Sequence, residues 1–216
     1  CFVRIMNAIF CIYNRSIIGI DNKLPSEVIP GLAEKKAVKA DMSMFKHITK
    51  NAYVVMGRKT WESLGSKPLP GRKMNIVITS DPEKMAKEQP LWKFKTPVNF
   101  LTKEQFERWY AEKDNVWIIG GVSLLKEYIP RCEQIYINEI HCQDEFNLNT
   151  VESARCTYFD HVEMMDLLMK NDFIDKDRPY WSTMATDCLY ARENVTLYCY
   201  HFYKNYLNDW EEPKYD

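Results

Sequence analysis

The chain has 216 residues, of which 46% are hydrophobic and 27% are charged, and its formal net charge is -1. This composition excludes an intrinsically disordered protein. The balanced charge gives no general electrostatic reason to expect a nucleic-acid or anionic-membrane partner. Small anionic ligands are not excluded, because a local cluster of Arg and Lys can exist in a neutral protein.

The seven cysteines form no CxxC pair, so the sequence predicts neither a zinc framework nor a redox dithiol. An odd number of scattered cysteines indicates free thiols in a reducing compartment. The apolar start, CFVRIMNAIFCIY, is too short for a membrane span and lacks the features of a signal peptide. We therefore expect a cytoplasmic protein without a metal site.

Short β-branched and aromatic runs alternate with helical stretches along the chain. Strands are predicted at residues 3–13, 52–56, 74–79, 98–101, 116–119, 134–141 and 195–203. Helices are predicted at residues 37–50, 59–64, 103–113 and 122–128. The alternation predicts an α/β fold with a mainly parallel sheet. Residues 24–40 and 142–190 lack a clear period, and we interpret them as peripheral insertions or functional loops.

A first candidate site residue is Asp41, which lies one helical turn from Phe45 on the same predicted helix face. A carboxylate on an otherwise apolar stripe is costly unless it is paired. Asp41 therefore either binds a hydrogen-bond donor, such as an aminopyrimidine edge, or is a solvent-facing residue near a helix N-terminus.

Three further motifs suit anionic groups. Residues 57–60 (G-R-K-T) run from a strand into a helix, which directs backbone N–H groups and two cations at one point, as a phosphate requires. Residues 120–121 are paired glycines that let the backbone approach a ligand closely. The turn at residues 69–72 (L-P-G-R) presents an Arg, which suits a carboxylate. Each motif alone is also compatible with an ordinary turn or surface cation.

Five blocks, taken together and in order, resemble dihydrofolate reductase. They are I-G-I-D-N-K-L-P at 18–25, D-x-x-x-F-K-x-x-T at 41–49, M-G-R-K-T-W-E-S-L-G at 56–65, P-L-P-G-R at 68–72 and I-I-G-G at 118–121. The resemblance implies a single domain over residues 1–216, with a mainly parallel central sheet, an antiparallel C-terminal strand and helices on both faces. It also implies insertions near residues 27–40 and 142–155.

The resemblance further implies an activity. Such enzymes transfer a hydride from NADPH to C6 of dihydrofolate, while N5 takes a proton, and they bind antifolates such as methotrexate. Asp41 would be the buried catalytic carboxylate that binds the 2-amino group and N3 of the pterin, with a raised pKa. Arg72 would hold the α-carboxylate of the glutamyl tail. The other implied substrate contacts are Ile9, Phe10 and Cys11 through their backbone, with Met42, Phe45, Leu64, Leu69, Ile119 and Asn138.

The implied cofactor site uses the anion-binding motifs. Arg58 and Lys59, with Thr79 or Ser80, match the family's 2′-phosphate site, which favours NADPH over NADH. The remaining implied cofactor contacts are Ile20, Gly57, Thr60, Gly120, Gly121, Ser123 and Leu124. Residues 19–24 resemble the mobile loop that closes over the nicotinamide and excludes water.

The chain departs from the family pattern at three positions. Ser26 replaces a Trp that normally helps to hold an ordered water beside the pterin. Asn138 stands where a Thr usually hydrogen-bonds the catalytic carboxylate, and Leu125 replaces a Tyr near the nicotinamide. Residues 156–159 (C-T-Y-F) match the family's D-T-x-F element in one register, and a register on residues 144–146 is the alternative.

Two other functions are weighed against this one. The related pyrimidine reductases of riboflavin synthesis share the fold and NADPH, but Asp41 with Phe45 and the L-P-G-R turn favour folate over a ribityl substrate. A reductase fold kept for ligand binding or assembly is the second alternative, with Ser26 and Leu125 as marks of lost activity. Dihydrofolate turnover distinguishes them. We expect a monomer that binds dihydrofolate and antifolates, without a nucleic-acid or membrane partner.

Overall fold

The structure is a computed structural model that describes residues 5–89, 91–143, 148, 151–152, 155–173, 187–189 and 195–203. The strands are β1 (Met6–Tyr13), β2 (Ile17–Ile20), β3 (Tyr53–Gly57), β4 (Met74–Ile78), β5 (Val98–Leu101), β6 (Val116–Gly120), β7 (Gln134–Cys142), β8 (Cys156–Tyr158), β9 (Asp187–Leu189) and β10 (Val195–Tyr203). The α-helices are α1 (Pro25–Val28), α2 (Lys36–Ile48), α3 (Arg58–Ser63), α4 (Pro82–Glu88), α5 (Lys103–Tyr110), α6 (Val122–Tyr128) and α7 (His161–Lys170). Short 3₁₀ helices occupy Leu91–Lys93 and Ile129–Arg131.

The strands form one sheet in the order β5-β4-β3-β6-β1-β7-β10-β9. Every neighbouring pair from β5 to β7 is parallel, and β10 pairs antiparallel with both β7 and β9. β2 lies off this path and pairs antiparallel with β1 and β8. The predicted α/β fold, mainly parallel with an antiparallel C-terminal strand, is confirmed.

The central strands are buried on both faces. Phe10 of β1 packs on one face in a core cluster with Phe106 of α5 and the buried side chains of α6 and α7. The next residue back, Ile9, packs on the other face with Trp61 of α3. Successive side chains of a strand point to opposite faces, so a strand that is apolar throughout requires helices on both sides. The prediction of helices on both faces is therefore confirmed.

Most predicted elements are present, with ends that differ by a few residues, and β5, α6 and β10 have the predicted bounds. The sequence patterns missed β2, β8, β9, α1, α4 and α7. In α7 the signal is a cap: the Asp160 side chain accepts a hydrogen bond from the Glu163 backbone N–H at 3.0 Å. Its apolar face is short, since Met164 and Leu168 alone are buried in it.

The segment at residues 27–40 contributes to the core through Leu32, Ala37 and Val38, while many of its other residues are exposed. Leu32 is fully buried, and it packs with Val38 of α2 and Tyr13 of β1. The segment thus forms a wall against the C-terminal half of β1. The second expected insertion, at residues 142–155, lies mostly outside the described residues. The single-domain organisation and the status of both segments as insertions stay predictions.

In the described part of the chain, no helix combines the length and the hydropathy that a bilayer crossing requires.

The cap of α5 offers a test of local stability. The Thr102 hydroxyl accepts from the Gln105 N–H at 3.2 Å, and the Gln105 side chain accepts from the Thr102 N–H at 2.8 Å. We expect Thr102→Ala to lower the free energy of unfolding by about 1 kcal/mol, because the Gln105 N–H at the start of the helix loses its hydroxyl acceptor. Urea denaturation measures this. Thr102→Ser is the control, and an equal loss in both variants would contradict the capping explanation.

Candidate active site

Two neighbouring parallel strands end side by side and each continues directly into a helix. β3 ends at Gly57 and α3 begins at Arg58, while β6 ends at Gly120 and α6 begins two residues later. The register of the pair shifts by one residue between Val55 and the strand ends, so β6 carries a bulge there. The glycines and the first turns of both helices therefore meet at one edge of the sheet.

Gly120 is required where β6 meets α3. Its φ of 151° is unfavourable for other residues, and a Cβ there would lie 3.2 Å from the Thr60 hydroxyl oxygen. The same hydroxyl accepts a hydrogen bond from the Gly121 N–H at 3.0 Å. Thr60 thus joins the two strand ends. In this structure the Gly121 N–H is bound to Thr60 and does not point to an open ligand position.

A cavity of about 580 Å³ lies beside these strand ends. Part of its wall comes from β1, through Phe10 and Cys11, and part from residues 18–19 and 22–24. The cavity is also lined by Ile119 and by eight of the predicted cofactor contacts, namely Gly57, Arg58, Lys59, Thr60, Gly120, Gly121, Ser123 and Leu124. The structure thus brings the motifs at residues 57–60 and 120–121 together in one cavity.

Three predicted cofactor contacts do not line this cavity. Ile20 is fully buried in a core cluster. Thr79 is buried, and its hydroxyl accepts a hydrogen bond from the Asp81 N–H at 3.3 Å. Ser80 is exposed just beyond β4, the neighbour of β3, so it shares a sheet edge with Arg58.

The two cations of this edge are accessible. Arg58 forms an ion pair with Glu62 at 2.7 Å, in which both side chains are about half exposed, and Lys59 is exposed. An exposed pair of this kind contributes little to stability. Arg58 can therefore exchange Glu62 for an anionic ligand at small cost.

Asp41 projects from α2 onto the sheet and is only 7% exposed. The Asn138 Nδ2 of β7 donates a hydrogen bond to its Oδ1 at 2.7 Å. Burial raises the pKa of Asp41 to about 6, and hydrogen bonds from Asn138 and Cys11 act in the opposite direction. The expected rise in this pKa is confirmed. Asp41 is the buried carboxylate that the apolar stripe of α2 indicated.

Arg72 lies in the turn at residues 69–72, which the Asn75 side chain stabilises. The buried Asn75 side chain bonds to both the N–H and the C=O of Leu69, at 2.9 and 3.2 Å. Arg72 then donates to the Pro70 carbonyl at 2.8 Å and to the Thr49 hydroxyl at 2.7 Å. The turn therefore fixes the direction in which the guanidinium points.

The Arg72 guanidinium is buried without a counter-ion. The residue is 8% exposed, its Nε has no hydrogen-bond partner, and its guanidinium lies 5.1 Å from the centre of the Phe45 ring. In the described ranges no carboxylate lies within ion-pair distance of it, and burial lowers its pKa. A buried cation with an unused donor is an arrangement suited to an anion supplied from outside.

Apolar side chains connect the two charged positions. Phe45, Leu64, Leu69 and Ile119 all pack against the core cluster that contains Ile9. Met42, next to Asp41, is 47% exposed. Phe45 relates the two charges, because it lies one helical turn after Asp41 in α2 and its ring contacts the Arg72 guanidinium.

The positions that depart from the family pattern have distinct surroundings. Ser26 is buried in α1, and its hydrogen bond with Tyr13 lowers the pKa of that phenol, although burial raises the pKa well above its usual range overall. Tyr13 also lies close enough to Asp41 for the carboxylate charge to raise the phenol pKa further. Sequence reasoning missed Tyr13, because an aromatic residue in a strand carries no signal of its partner. Leu125 is fully buried with Tyr128 in the core and does not line the cavity.

Residues 156–159 contact β2 and β1, whereas the alternative register on residues 144–146 lies outside the described residues. β8 pairs with β2, and Phe159 stacks on Phe10 with ring centres 5.7 Å apart. Arg155 donates from Nε to both carboxylate oxygens of Asp21 at 3.1 Å. Sequence reasoning missed Arg155, because a single Arg in a polar stretch carries no signal of its partner.

Comparison with known proteins gives a consistent result. Residues 5–163 match the family model described as dihydrofolate reductase. The chain is 32% identical to the dihydrofolate reductase of Haemophilus influenzae over 130 residues, which are 59% of this chain and 67% of that one. It is 30% identical to dihydrofolate reductase type 3 of Salmonella typhimurium over 162 residues, or 71% and 88% of the two chains.

A solved structure matches the fold. It is the dihydrofolate reductase from Enterococcus faecalis complexed with NADP(H) and RAB-propyl, with a TM-score of 0.55 and 24% identity. The match covers 93% of this chain and 96% of the other.

The burial of Asp41 predicts a specific pH dependence of stability. The native carboxyl binds its proton more tightly than the unfolded one, so the free energy of unfolding falls as pH rises from about 4 to about 6. Asp41→Asn removes this cost. We expect it to unfold at higher urea than the parent at pH 7.5, by up to about 3 kcal/mol, and to lose that advantage near pH 4.

The exposed Asp114 supplies the matched control, because Asp114→Asn changes the same charge without burial. A stability gain of Asp41→Asn that is the same at both pH values would show that the gain has another origin.

Proposed function

Because this chain belongs to the dihydrofolate reductase family, we propose that it catalyses the NADPH-dependent reduction of 7,8-dihydrofolate to 5,6,7,8-tetrahydrofolate. The observation that carries the proposal is a buried carboxylate and a buried, unpaired guanidinium separated by an apolar wall. These charges match the two ends of dihydrofolate, a cyclic amidine-like pterin edge and a glutamyl carboxylate. The adjoining cavity is lined by two accessible cations, Arg58 and Lys59, and by two glycines, Gly120 and Gly121.

Asp41 binds the pterin end of the substrate. Its ionised carboxylate accepts hydrogen bonds from the 2-amino group and N3, which fixes the ring orientation. Ile9, Phe10 and Cys11 contribute backbone groups to the same ring. Because a carboxylate with a pKa of about 6 is mostly ionised at neutral pH, Asp41 acts mainly as an acceptor there.

Arg72 binds the glutamyl end of the substrate. Its unused Nε and the adjacent ring of Phe45 suit an α-carboxylate that follows an aromatic benzoyl group. Met42, Leu64, Leu69 and Ile119 contact the rest of the substrate, and Asn138 holds Asp41. Antifolates such as methotrexate, which carry the same two ends, are expected to bind here.

The residues of the cavity fit NADPH. Arg58 and Lys59 line it as accessible cations, which suits the phosphate groups of the cofactor. Arg58 and Lys59, with Ser80 or Thr79, hold the 2′-phosphate. Thr60, Gly57, Gly120, Gly121, Ser123 and Leu124 contact the remainder, with Ile20 behind the loop. When bound, NADPH supplies the hydride that C6 accepts.

The second half of the reaction is the proton for N5. Because Asp41 binds the 2-amino group and N3, and N5 is in the other ring of the pterin, the proton reaches N5 through a water beside the pterin and not by direct transfer from Asp41. The Ser26 hydroxyl, which bonds with Tyr13, is the residue that can orient such a water in place of the family's Trp. Residues 19–24 exclude other water during hydride transfer.

Cellular setting and assembly follow the family. The cysteines at positions 11, 142 and 156 are free thiols, which supports a reducing compartment such as the cytoplasm. A monomeric state without nucleic-acid or membrane partners stays a prediction.

Asp41→Asn tests the reaction. We expect its turnover of dihydrofolate to fall at least about 100-fold, because an amide cannot favour protonation of N5 or accept from both pterin donors. Its affinity for NADPH is expected to stay within about twofold, since Asp41 is outside the cofactor cavity. Loss of NADPH absorbance measures turnover and fluorescence titration measures affinity. Undiminished turnover would exclude Asp41 as the catalytic carboxylate.

Arg72→Lys tests the substrate. We expect KM for dihydrofolate to rise about 10- to 100-fold with little change in kcat, because the point charge of Lys cannot replace a bidentate guanidinium. The amide of dihydropteroate, which has the pterin and the benzoyl group but neither glutamate nor a free carboxylate, is the matched control substrate. Its KM should be the same for both proteins. An equal loss on both substrates would indicate general damage to the pocket.

A further inference from the structure

Three neighbouring strands place one polar side chain each in a row under α2. Asn138 of β7 lies directly opposite Cys11 of β1 on one side and Cys199 of β10 on the other. Residues in register on adjacent strands point to the same face of a sheet. Asn138 holds Asp41 at 2.7 Å, so the Cys11 side chain lies on the face that the carboxylate covers. Cys11 also lines the cavity beside the ends of β3 and β6.

The Cys11 thiol is a hydrogen-bond donor at every relevant pH. Burial, with the nearby Asp41 charge, raises its pKa well above the usual range, so the sulfur keeps its proton. That proton has two acceptors in reach: the Ile12 carbonyl oxygen, 3.8 Å from the sulfur, and the Asp41 carboxylate. An ionised carboxylate is the stronger acceptor of the two.

We propose that Cys11 is a positioning residue for the reaction, whose thiol donates to the ionised Asp41 and, together with Asn138, directs that carboxylate at the pterin. This proposal rests on the proposed function. It gives the Cys11 side chain a role beyond the backbone contact that the family resemblance implies. Cys11 acts through Asp41 and does not itself transfer a proton to the substrate.

Donation to the ionised form favours that form. The pKa of Asp41 is therefore held down by Asn138 and Cys11 against the effect of burial. The other titratable groups on this face are Tyr13, Cys142 and Cys199. In the part of the chain that the structure describes, no cation faces Asp41. A thiol is thus one of only two donors that oppose its protonation there.

The test compares Cys11→Ala, Cys11→Ser and the parent in the ligand-free protein. The pKa of Asp41 is followed by the 13C shift of its carboxyl carbon, assigned by difference from Asp41→Asn. We expect Cys11→Ala to raise this pKa by about 0.5 to 1 pH unit, since it removes one donor. Cys11→Ser should lower it, because a hydroxyl is a stronger donor than a thiol.

This order separates a donor from a packing residue. If Cys11 only filled space, Cys11→Ala would admit water beside Asp41 and lower the pKa, the opposite direction. Cys199→Ala is the matched control, because Cys199 flanks Asn138 from the other side without acting on Asp41. It should leave both the pKa and the pH profile of turnover unchanged.

The pH profile of kcat should move with the pKa in each Cys11 variant. An Asp41 pKa that is unchanged or lower in Cys11→Ala overturns the proposal. The carboxyl titration needs no substrate, so it decides the role of Cys11 even if the protein fails to turn over dihydrofolate. A lack of turnover in the parent protein would instead overturn the proposed function.

Discussion

A carboxylate buried without a cation is the constraint on which the site depends. In the proposed function Asp41 keeps some negative charge to bind a donor-rich ring, yet burial favours its neutral form. The fold offers only two donors to it in the described residues, the Asn138 amide and the Cys11 thiol. Its charge is therefore incompletely satisfied until a ligand supplies further donors. The incomplete satisfaction of this charge destabilises the ligand-free protein. In the proposed function, it also makes the site selective for a ligand with a donor-rich edge such as that of a pterin.

Arg72 is also a buried charge without a counter-ion in the described residues, but it is a cation. Its guanidinium is fixed by a carbonyl and a hydroxyl, which orient it without neutralising it. The two unsatisfied charges stand on separate elements, a helix and a turn, and share the apolar wall of Phe45, Leu64 and Leu69. In the proposed function these two charges select a substrate by its length and by its polar ends, because a ligand must place a donor edge at one end and an anion at the other.

The chain reaches this arrangement with substitutions that compensate one another. The small Ser26 leaves space beside the pterin site, and the buried Tyr13 ring and the Leu32 wall occupy neighbouring volume. The amide of Asn138 replaces a hydroxyl but still donates to Asp41. On the loop side, the bidentate Arg155 pair with Asp21 and the β2–β8 pairing connect residues 19–24 to residues 155–158. These contacts cross long sequence separations.

The sequence by itself determined the parallel sheet, the central helices and the motif residues, because strand periodicity and short blocks such as residues 56–65 are local. The resemblance of these blocks to dihydrofolate reductase also implied the raised pKa of Asp41. Only the tertiary structure decided that Cys11 lies opposite Asn138, that Tyr13 meets Ser26 and that Arg155 meets Asp21. The positions of these pairs follow from strand register and packing between distant segments, which no local pattern encodes.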